Sequence, residues 1–273
     1  MQQVDRSNVK YLMEIANINP SKDKGQNFLV DTEICEKIAK LANINANSQV
    51  IEVGPGLGSL TYWLESKCNN LTVIDVDERI VSYLSNEVKE NTKIIYGDAL
   101  KYDFSNYDIV VSNLPYSITK DLIVHLIISA SSASQFVFMS QKENFAHFVD
   151  VKGSEYGPTS ILIHLLGNIK KEFDVKPSFF VPSPKCVSTV FTISRHSDYD
   201  FKEVIETYKL ANKLFLNRRK TILNNLSHIV DKETAIKILA TLNLDVILRP
   251  EEISPREFYE LNKLLKEKSK QNV

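Results

Sequence analysis

The tetrapeptide Asn113-Leu114-Pro115-Tyr116 holds the residues whose types are hardest to explain as structure alone. An asparagine side-chain carbonyl beside a backbone carbonyl makes two acceptors for the two protons of an exocyclic NH2 group. Pro115 holds its own φ and so helps fix the turn, and Tyr116 offers a face on which an extruded base can stack. The set suits chemistry at a planar amino nitrogen, as in adenine, cytosine or a glutamine amide. A turn without chemistry is the competing reading. Upstream stands Glu52-Val53-Gly54-Pro55-Gly56-Leu57-Gly58, whose glycines let the backbone turn tightly and approach a ligand. The dinucleotide spacing GxGxxG would need glycine at position 59, which is Ser59, so the pattern is ExGxGxG. A plain strand-to-helix turn is the alternative here. Asp75 follows Gly54 by 21 residues, where a carboxylate can accept both hydroxyls of a ribose. Asp98, in Gly97-Asp98-Ala99-Leu100, is placed to accept from an adenine amino group, with a turn or helix-cap aspartate as its other reading. Asp77 reads as a helix N-cap.

Those residues need a frame, and the hydrophobic pattern supplies one. Apolar runs at 49–53, 71–75, 93–96, 108–112 and 135–139 are hydrophobic on consecutive positions, as in parallel strands covered on both faces. Helical patterns lie between them at 32–41, 59–66, 78–88 and 119–129, the first with Asp31 or Thr32 as its N-cap. Alternation at this interval means βαβ units in a doubly wound α/β sheet. Ligands bind such sheets outside the carboxyl ends of the strands, which is where the tetrapeptide and both aspartates fall. Runs at 171–175 and 189–194, separated by the proline-punctuated 177–184, predict a reversed hairpin at the sheet edge. After a short polar stretch the pattern is helical only, at 201–216, 219–226, 232–239 and 254–268. The expected organisation is a catalytic domain over 1–196 and a small all-helical domain over 197–273.

Composition excludes several classes. With 273 residues, 43% hydrophobic and 25% charged, the chain is neither disordered nor of low complexity. Its apolar stretches are too short to span a bilayer, and charges interrupt the first twenty residues, so no secretory signal is readable. Cys35, Cys68 and Cys186 are far apart and form no CxxC pair, and the five histidines have no HExxH spacing, so neither a disulfide framework nor a metal site is expected. Residues 1–199 hold 19 Lys and Arg against 23 Asp and Glu, whereas 200–273 hold 14 against 11. A mildly basic tail on an acidic body permits a nucleic-acid partner without requiring one. The expectation is a cytoplasmic monomer without a membrane or metal partner.

Taken together, the ordered motifs resemble the small-subunit ribosomal RNA adenine N6,N6-dimethyltransferase family, nearly end to end. Gly25-Gln26-Asn27-Phe28-Leu29 is similar to the family's N-terminal motif, and Leu114-Pro115-Tyr116 to its target-base loop. Further matches are Gln141-Lys142-Glu143, Tyr156-Gly157, Phe180-Val181-Pro182-Ser183-Pro184-Lys185, Arg218-Arg219-Lys220-Thr221 with Asn225-Leu226, and Arg249-Pro250-Glu251. The resemblance implies a Rossmann-like class I methyltransferase sheet and S-adenosylmethionine as cofactor. The cofactor set it implies is Asn27, Leu29, Gly54, Gly56, Asp75, Asp98, Ala99 and Asn113, with Asn113, Leu114, Pro115 and Tyr116 as catalytic residues. The implied substrate is 16S rRNA in the small subunit, at two adjacent adenosines of the 3′-terminal hairpin loop, which links the chain to ribosome biogenesis. Phe180 is a candidate to stack the target base from its other side. Lys24, Lys185, Arg218, Arg219 and Lys220 are candidate phosphate contacts, although a solvated helix face also accounts for 218–220.

The chain departs from the family in three places. Asp75 stands where glutamate is usual; Asn144, Phe145, Ala146, His147 and Phe148 follow the Gln-Lys-Glu motif in place of a small residue and an arginine; and Thr159-Ser160-Ile161 replaces Leu-Ser-Val. These changes lower the basic charge near the expected RNA path. The nearest alternative is the related 23S rRNA adenine methyltransferase of the macrolide-resistance type, whose members tend to be strongly basic, unlike this chain with a pI near 6.5. DNA adenine or protein glutamine methylation is disfavoured because the loop there is more often proline-proline. A different class of function is a small-subunit assembly factor that acts mainly by binding.

Overall fold

The computed structural model describes residues 1–20 and 26–271. Lys24 and Gly25, the first a candidate phosphate contact and the second the start of the N-terminal motif, lie outside the described residues. By internal contacts the chain forms two units, Met1–Lys142 with Lys170–Arg195, and Glu143–Ile169 with His196–Val273.

The first unit is built on a parallel sheet. Its strands are β1 (Phe28–Leu29), β2 (Gln49–Val53), β3 (Asn70–Asp75), β4 (Lys93–Tyr96), β5 (Ile109–Asn113), β6 (Gln135–Gln141), β7 (Gly167–Val175) from Lys170 onward, β8 (Phe180–Val181) and β9 (Ser188–Arg195). Seven of them form one sheet in the order β4-β3-β2-β5-β6-β9-β7. The consecutive apolar residues are buried as a doubly covered strand requires: Val50, Ile51, Val53, Val110 and Val111 are each 3% exposed or less. β2 pairs in parallel with β3 and with β5, so Val53 lies opposite both Ile74 and Ser112. The strand order therefore reverses at β2, and a crevice opens beyond the carboxyl ends of β2 and β5. Helices α1 (Val9–Ile15), α2 (Thr32–Leu41), α3 (Thr61–Glu65), α4 (Glu78–Glu87) and α5 (Thr119–Ser129) complete this unit. Asp31 and Asp77 cap α2 and α4 through Ile34 N (3.0 Å) and Arg79 N (3.2 Å).

Several boundaries differ from the expectation, each for a local reason. β5 runs through Asn113, so this residue ends the strand and does not follow it. α3 begins at Thr61, two residues late, because three left-handed glycines keep the chain in a loop. The sheet edge is reversed, as β9 pairs antiparallel with β6 and β7 lies outside it. β8 leaves this edge and pairs antiparallel with β1, placing Leu29 opposite Phe180.

The second unit contains α6 (Lys142–Val149) from Glu143 onward, α7 (Pro158–Leu166), α8 (Phe201–Phe215), α9 (Ile222–Leu226), α10 (Lys232–Thr241) and α11 (Pro255–Gln271). The division at Arg195 and His196 falls where the sequence turns polar, but Glu143–Ile169 belongs with the second unit and not with the sheet that flanks it in sequence. α7 explains this: its residues from Pro158 to Ile163 are all buried, and it packs against α8 and α11. A helix apolar on every side shows no 3.6-residue stripe, so periodicity does not reveal it.

Arg195 closes the far end of the sheet. Its Nε donates to Ala133 O (2.8 Å) and its Nη2 to Ile127 O (2.7 Å) and Ala130 O (3.1 Å), supplying the carbonyls that α5 leaves unmade at its C-terminus. Arg195→Leu removes the donor to Ile127 O and Ala133 O, while Ala130 O keeps the N–H of Ala133, and we expect a stability loss of about 3 kcal/mol. Urea unfolding followed by circular dichroism measures it as a lower midpoint at unchanged slope.

Candidate active site

One cavity opens at the crevice beyond β2, β3, β4 and β5, and all eight expected cofactor residues line it: Asn27, Leu29, Gly54, Gly56, Asp75, Asp98, Ala99 and Asn113. Gly54, Gly56 and Gly58 adopt φ of +70°, +55° and +89°, conformations that L side chains rarely adopt. A Cβ on Gly56 would stand 2.9 Å from Cδ1 of Phe28, so the loop and the aromatic ring are packed to the limit. Ser59 fastens the loop to β1 by donating to Leu29 O at 2.6 Å, and Ser112 ties β5 to β2 by donating to Val53 O at 2.7 Å.

Asp75 ends β3 and Asp98 follows β4 by two residues, and both are oriented acceptors. Asp75 Oδ1 receives the backbone N–H of Asp77 (2.8 Å), and Asp98 Oδ1 receives that of Leu100 (3.0 Å), so each carboxylate is held by a turn. Asp98 is 40% exposed and has Lys101 Nζ at 3.5 Å. The turn reading of Asp98 and its place in the cavity wall thus hold together.

Asn113 reaches the same cavity from β5. Its Nδ2 donates to the backbone carbonyl of Asn27 at 3.5 Å, which leaves Oδ1 as the outward acceptor. Leu114 is buried, with its N–H donating to Met139 O (2.9 Å), and Pro115 O receives Thr119 Oγ1 (2.9 Å). Tyr116 is half-buried and its hydroxyl shares a 3.0 Å hydrogen bond with Ser188 Oγ, which holds the tip of the side chain.

Two expectations change. Phe180 is 1% exposed, because the β1–β8 pairing turns it into the core, and it presents no face to a base. Phe28, on the partner strand, is by contrast both cavity wall and core, at 5% exposed. The cationic cluster at 218–220 lies in the turn before α9, which starts at Ile222, and not on a helix face. Within it Arg218 is committed to its own unit: Nη1 donates to Ser154 O (3.0 Å), Nη2 to Gly153 O (3.3 Å), and Nε lies 3.7 Å from Glu251. Arg219 and Lys220 are exposed, as is Lys185 in the first unit.

Two features were not singled out from sequence. Glu52 lines the cavity at 1% exposed, with Thr61 Oγ1 donating to its Oε2 at 2.6 Å. Burial pushes its carboxyl up to about 8, and the nearby Glu65 and Asp75 push the same way against the Thr61 hydrogen bond. The signal was present in the first letter of ExGxGxG. The second feature is a hydrogen bond from Gln26 Nε2 to Asp77 Oδ2 at 3.0 Å, between residues with no local relation in sequence.

Residues 17–267 match the family model for ribosomal RNA adenine dimethylase. The chain belongs to the ribosomal RNA adenine dimethylase family. It is therefore a methyltransferase of ribosomal RNA, and the family's chemistry requires a methyl donor. Among its relatives, the ribosomal RNA small subunit methyltransferase A of Malacoplasma penetrans is 36% identical over 254 residues, covering 88% of this chain and 93% of that one. The protein of the same name from Streptococcus thermophilus is 34% identical over 287 residues, covering 98% and 99%. Of solved structures, a dimethyladenosine transferase from Plasmodium falciparum superposes with a TM-score of 0.76 at 25% identity, covering 90% of this chain and 98% of that one. A 23S rRNA methyltransferase shares the fold at a TM-score of 0.68 and 20% identity, covering 88% and 100%. Among the described residues no helix is long and apolar enough to cross a membrane.

The protonated Glu52 has a measurable consequence for this dimethylase. The unfolded chain releases that proton near 4.5 while the native state holds it to about 8. Between those values the native state binds the extra proton, so stability falls by about 1.4 kcal/mol for each rise of one pH unit. Below 4.5 the penalty is absent. Glu52→Gln removes this contribution, and we expect its stability relative to the unsubstituted protein to rise steadily from pH 5 to pH 8 in parallel urea titrations.

Proposed function

We propose that this dimethylase transfers methyl groups from S-adenosylmethionine to N6 of two adjacent adenosines in the 3′-terminal hairpin loop of 16S rRNA, two to each. It acts as a monomer, in the cytoplasm, on the small ribosomal subunit. The observation that carries the reading is the Asn113 amide, tied through Nδ2 to Asn27 so that Oδ1 faces a cavity shared with Gly54, Asp75 and Asp98. The name shared by the relatives in Malacoplasma penetrans and Streptococcus thermophilus supports the choice of subunit.

The donor set suits this cofactor. Asp75 offers a carboxylate for ribose hydroxyls, and Asp98 with Ala99 offers an acceptor edge for the adenine amino group. The glycine loop, with no room for a Cβ at Gly56, leaves backbone to face the ligand's tail. When bound, S-adenosylmethionine supplies an electrophilic methyl on a sulfonium.

The rest of the catalysis is positioning. The lone pair of adenine N6 is delocalised into the ring, so the amine is a poor nucleophile. Asn113 Oδ1 and the Leu114 carbonyl accept its two protons and favour a pyramidal nitrogen whose lone pair points at the methyl. Tyr116, its hydroxyl held by Ser188, stacks the extruded base. Oriented dipoles and alignment then supply most of the rate gain. No general base is required, since the alkylated nitrogen is acidic enough to give its proton to water. Exposed Lys185, Arg219 and Lys220 contact phosphates, and Arg218 contributes by shaping its own turn.

The test is methyl transfer from tritiated S-adenosylmethionine onto small subunits that lack the modification, beside naked large-subunit rRNA. About four methyls per small subunit, two on each of two adenosines, are expected, with the naked RNA silent. Label on the large-subunit RNA would move the protein to the resistance type, and label on neither, with cofactor bound, would favour an assembly factor. Asn113→Ala is expected to lower kcat by about 100-fold or more. Near-normal turnover with intact folding would refute the mechanism.

A further inference from the structure

The orientation of the Asn113 amide is a separate physical problem. A primary amide has nearly the same shape when its oxygen and nitrogen are exchanged, so sterics alone do not choose between them. Turned the wrong way, Asn113 would aim two donors at an amino group that is itself a donor. The choice is made by the Asn27 carbonyl, which meets Nδ2 at 3.5 Å, the long end of hydrogen-bonding range. A contact of that length discriminates well only if the carbonyl is held in place.

Asp77 is built to hold it. Capping α4 needs one carboxylate oxygen and no burial, yet Asp77 is 2% exposed and receives hydrogen bonds on both oxygens. Arg79 grips it bidentately, Nε to Oδ1 at 3.0 Å and Nη2 to Oδ2 at 2.7 Å, which fixes the carboxylate plane. Oδ2 then receives Gln26 Nε2 at 3.0 Å. Gln26 is covalently joined to Asn27, so one peptide unit separates this anchor from the carbonyl that orients Asn113. The backbone N–H of Asp77 meanwhile donates to Asp75 Oδ1, so one residue steadies both walls of the cavity.

We infer that Gln26 and Asp77 are a positioning pair, which holds the Asn27 carbonyl so that the catalytic amide presents its oxygen to the substrate. The inference rests on the role of Asn113 proposed above. Neither residue needs to touch the reacting atoms.

The experiment substitutes Gln26 in the full-length protein. Gln26→Glu sets two carboxylates against each other, and kcat on small subunits at saturating donor should fall about tenfold, because displacement of a positioning group by a fraction of an ångström is costly. The Kd for S-adenosylmethionine by calorimetry should stay within about threefold, since Asp75 and Asp98 are untouched. Gln26→Ala, which removes the donor without repulsion, covers the case in which Gln26→Glu melts early. The side-chain NH2 resonances of Asn113 in a 15N–1H spectrum, assigned by their loss in Asn113→Ala, should shift in Gln26→Ala. Unchanged kcat in both single variants, or a loss in Kd equal to the loss in kcat/KM, would overturn the proposal. If the parent protein methylates no RNA, the functional reading fails, and the Asn113 resonances alone decide: unmoved resonances then reject the positioning pair.

Discussion

Strand β2 pairs in parallel with β3 on one side and β5 on the other, and the rest of the first unit depends on that double pairing. A parallel neighbour on each side forces the connections after β2 and β5 to lead away from each other, which leaves a gap at their carboxyl ends. Into that gap the sheet delivers the glycine loop from β2, Asp75 from β3, Asp98 after β4 and Asn113 from β5. Because the strands are in fixed register, the four groups sit at fixed heights, with Val53 level with Ile74 and Ser112. No loop has to find its position independently.

Electrostatics inside the gap separate its carboxylates into two kinds. Asp75 and Asp98, in the cavity wall, each accept a backbone N–H group. Glu52, deeper and met by the Thr61 hydroxyl, is held neutral by burial. The floor of the cavity is thus kept from accumulating negative charge beneath the two acceptors that a nucleoside would use. A neutral Glu52 also avoids repelling Asp75, one of the groups that raises its pKa. The same economy appears in Asn113, a neutral acceptor where a carboxylate would compete for the proton that the substrate must lose only after transfer.

The second unit follows other rules. Its core is made by helices with ordinary amphipathic stripes, α8 and α11, closed by the apolar α7 and by the Phe215–Phe258 contact, with ring centroids at 5.9 Å. Arg218 illustrates how a basic motif divides its labour. Its guanidinium lies over Phe215 and holds the 153–154 turn, while Arg219 and Lys220 beside it face solvent. Charge in a motif does not reveal which members are structural.

By itself the sequence determined the doubly wound sheet, the helical tail, the family, and every one of the eight residues that line the cavity as expected. Most of these are local properties: consecutive apolar residues mark a strand covered on both faces, ExGxGxG marks the turn after it, and strand ends are where ligand-facing residues must fall, while the family, and with it Asn27, Leu29 and Ala99, came from the resemblance of the ordered motifs. Tertiary structure alone decided the burial of Phe180, which depends on β8 crossing to pair with β1, and the membership of 143–169 in the second unit. It alone joined Gln26 to Asp77 and raised the proton affinity of Glu52. Each of these depends on partners distant in sequence, and neither side-chain burial nor a hydrogen bond across fifty residues leaves a periodic trace in the chain.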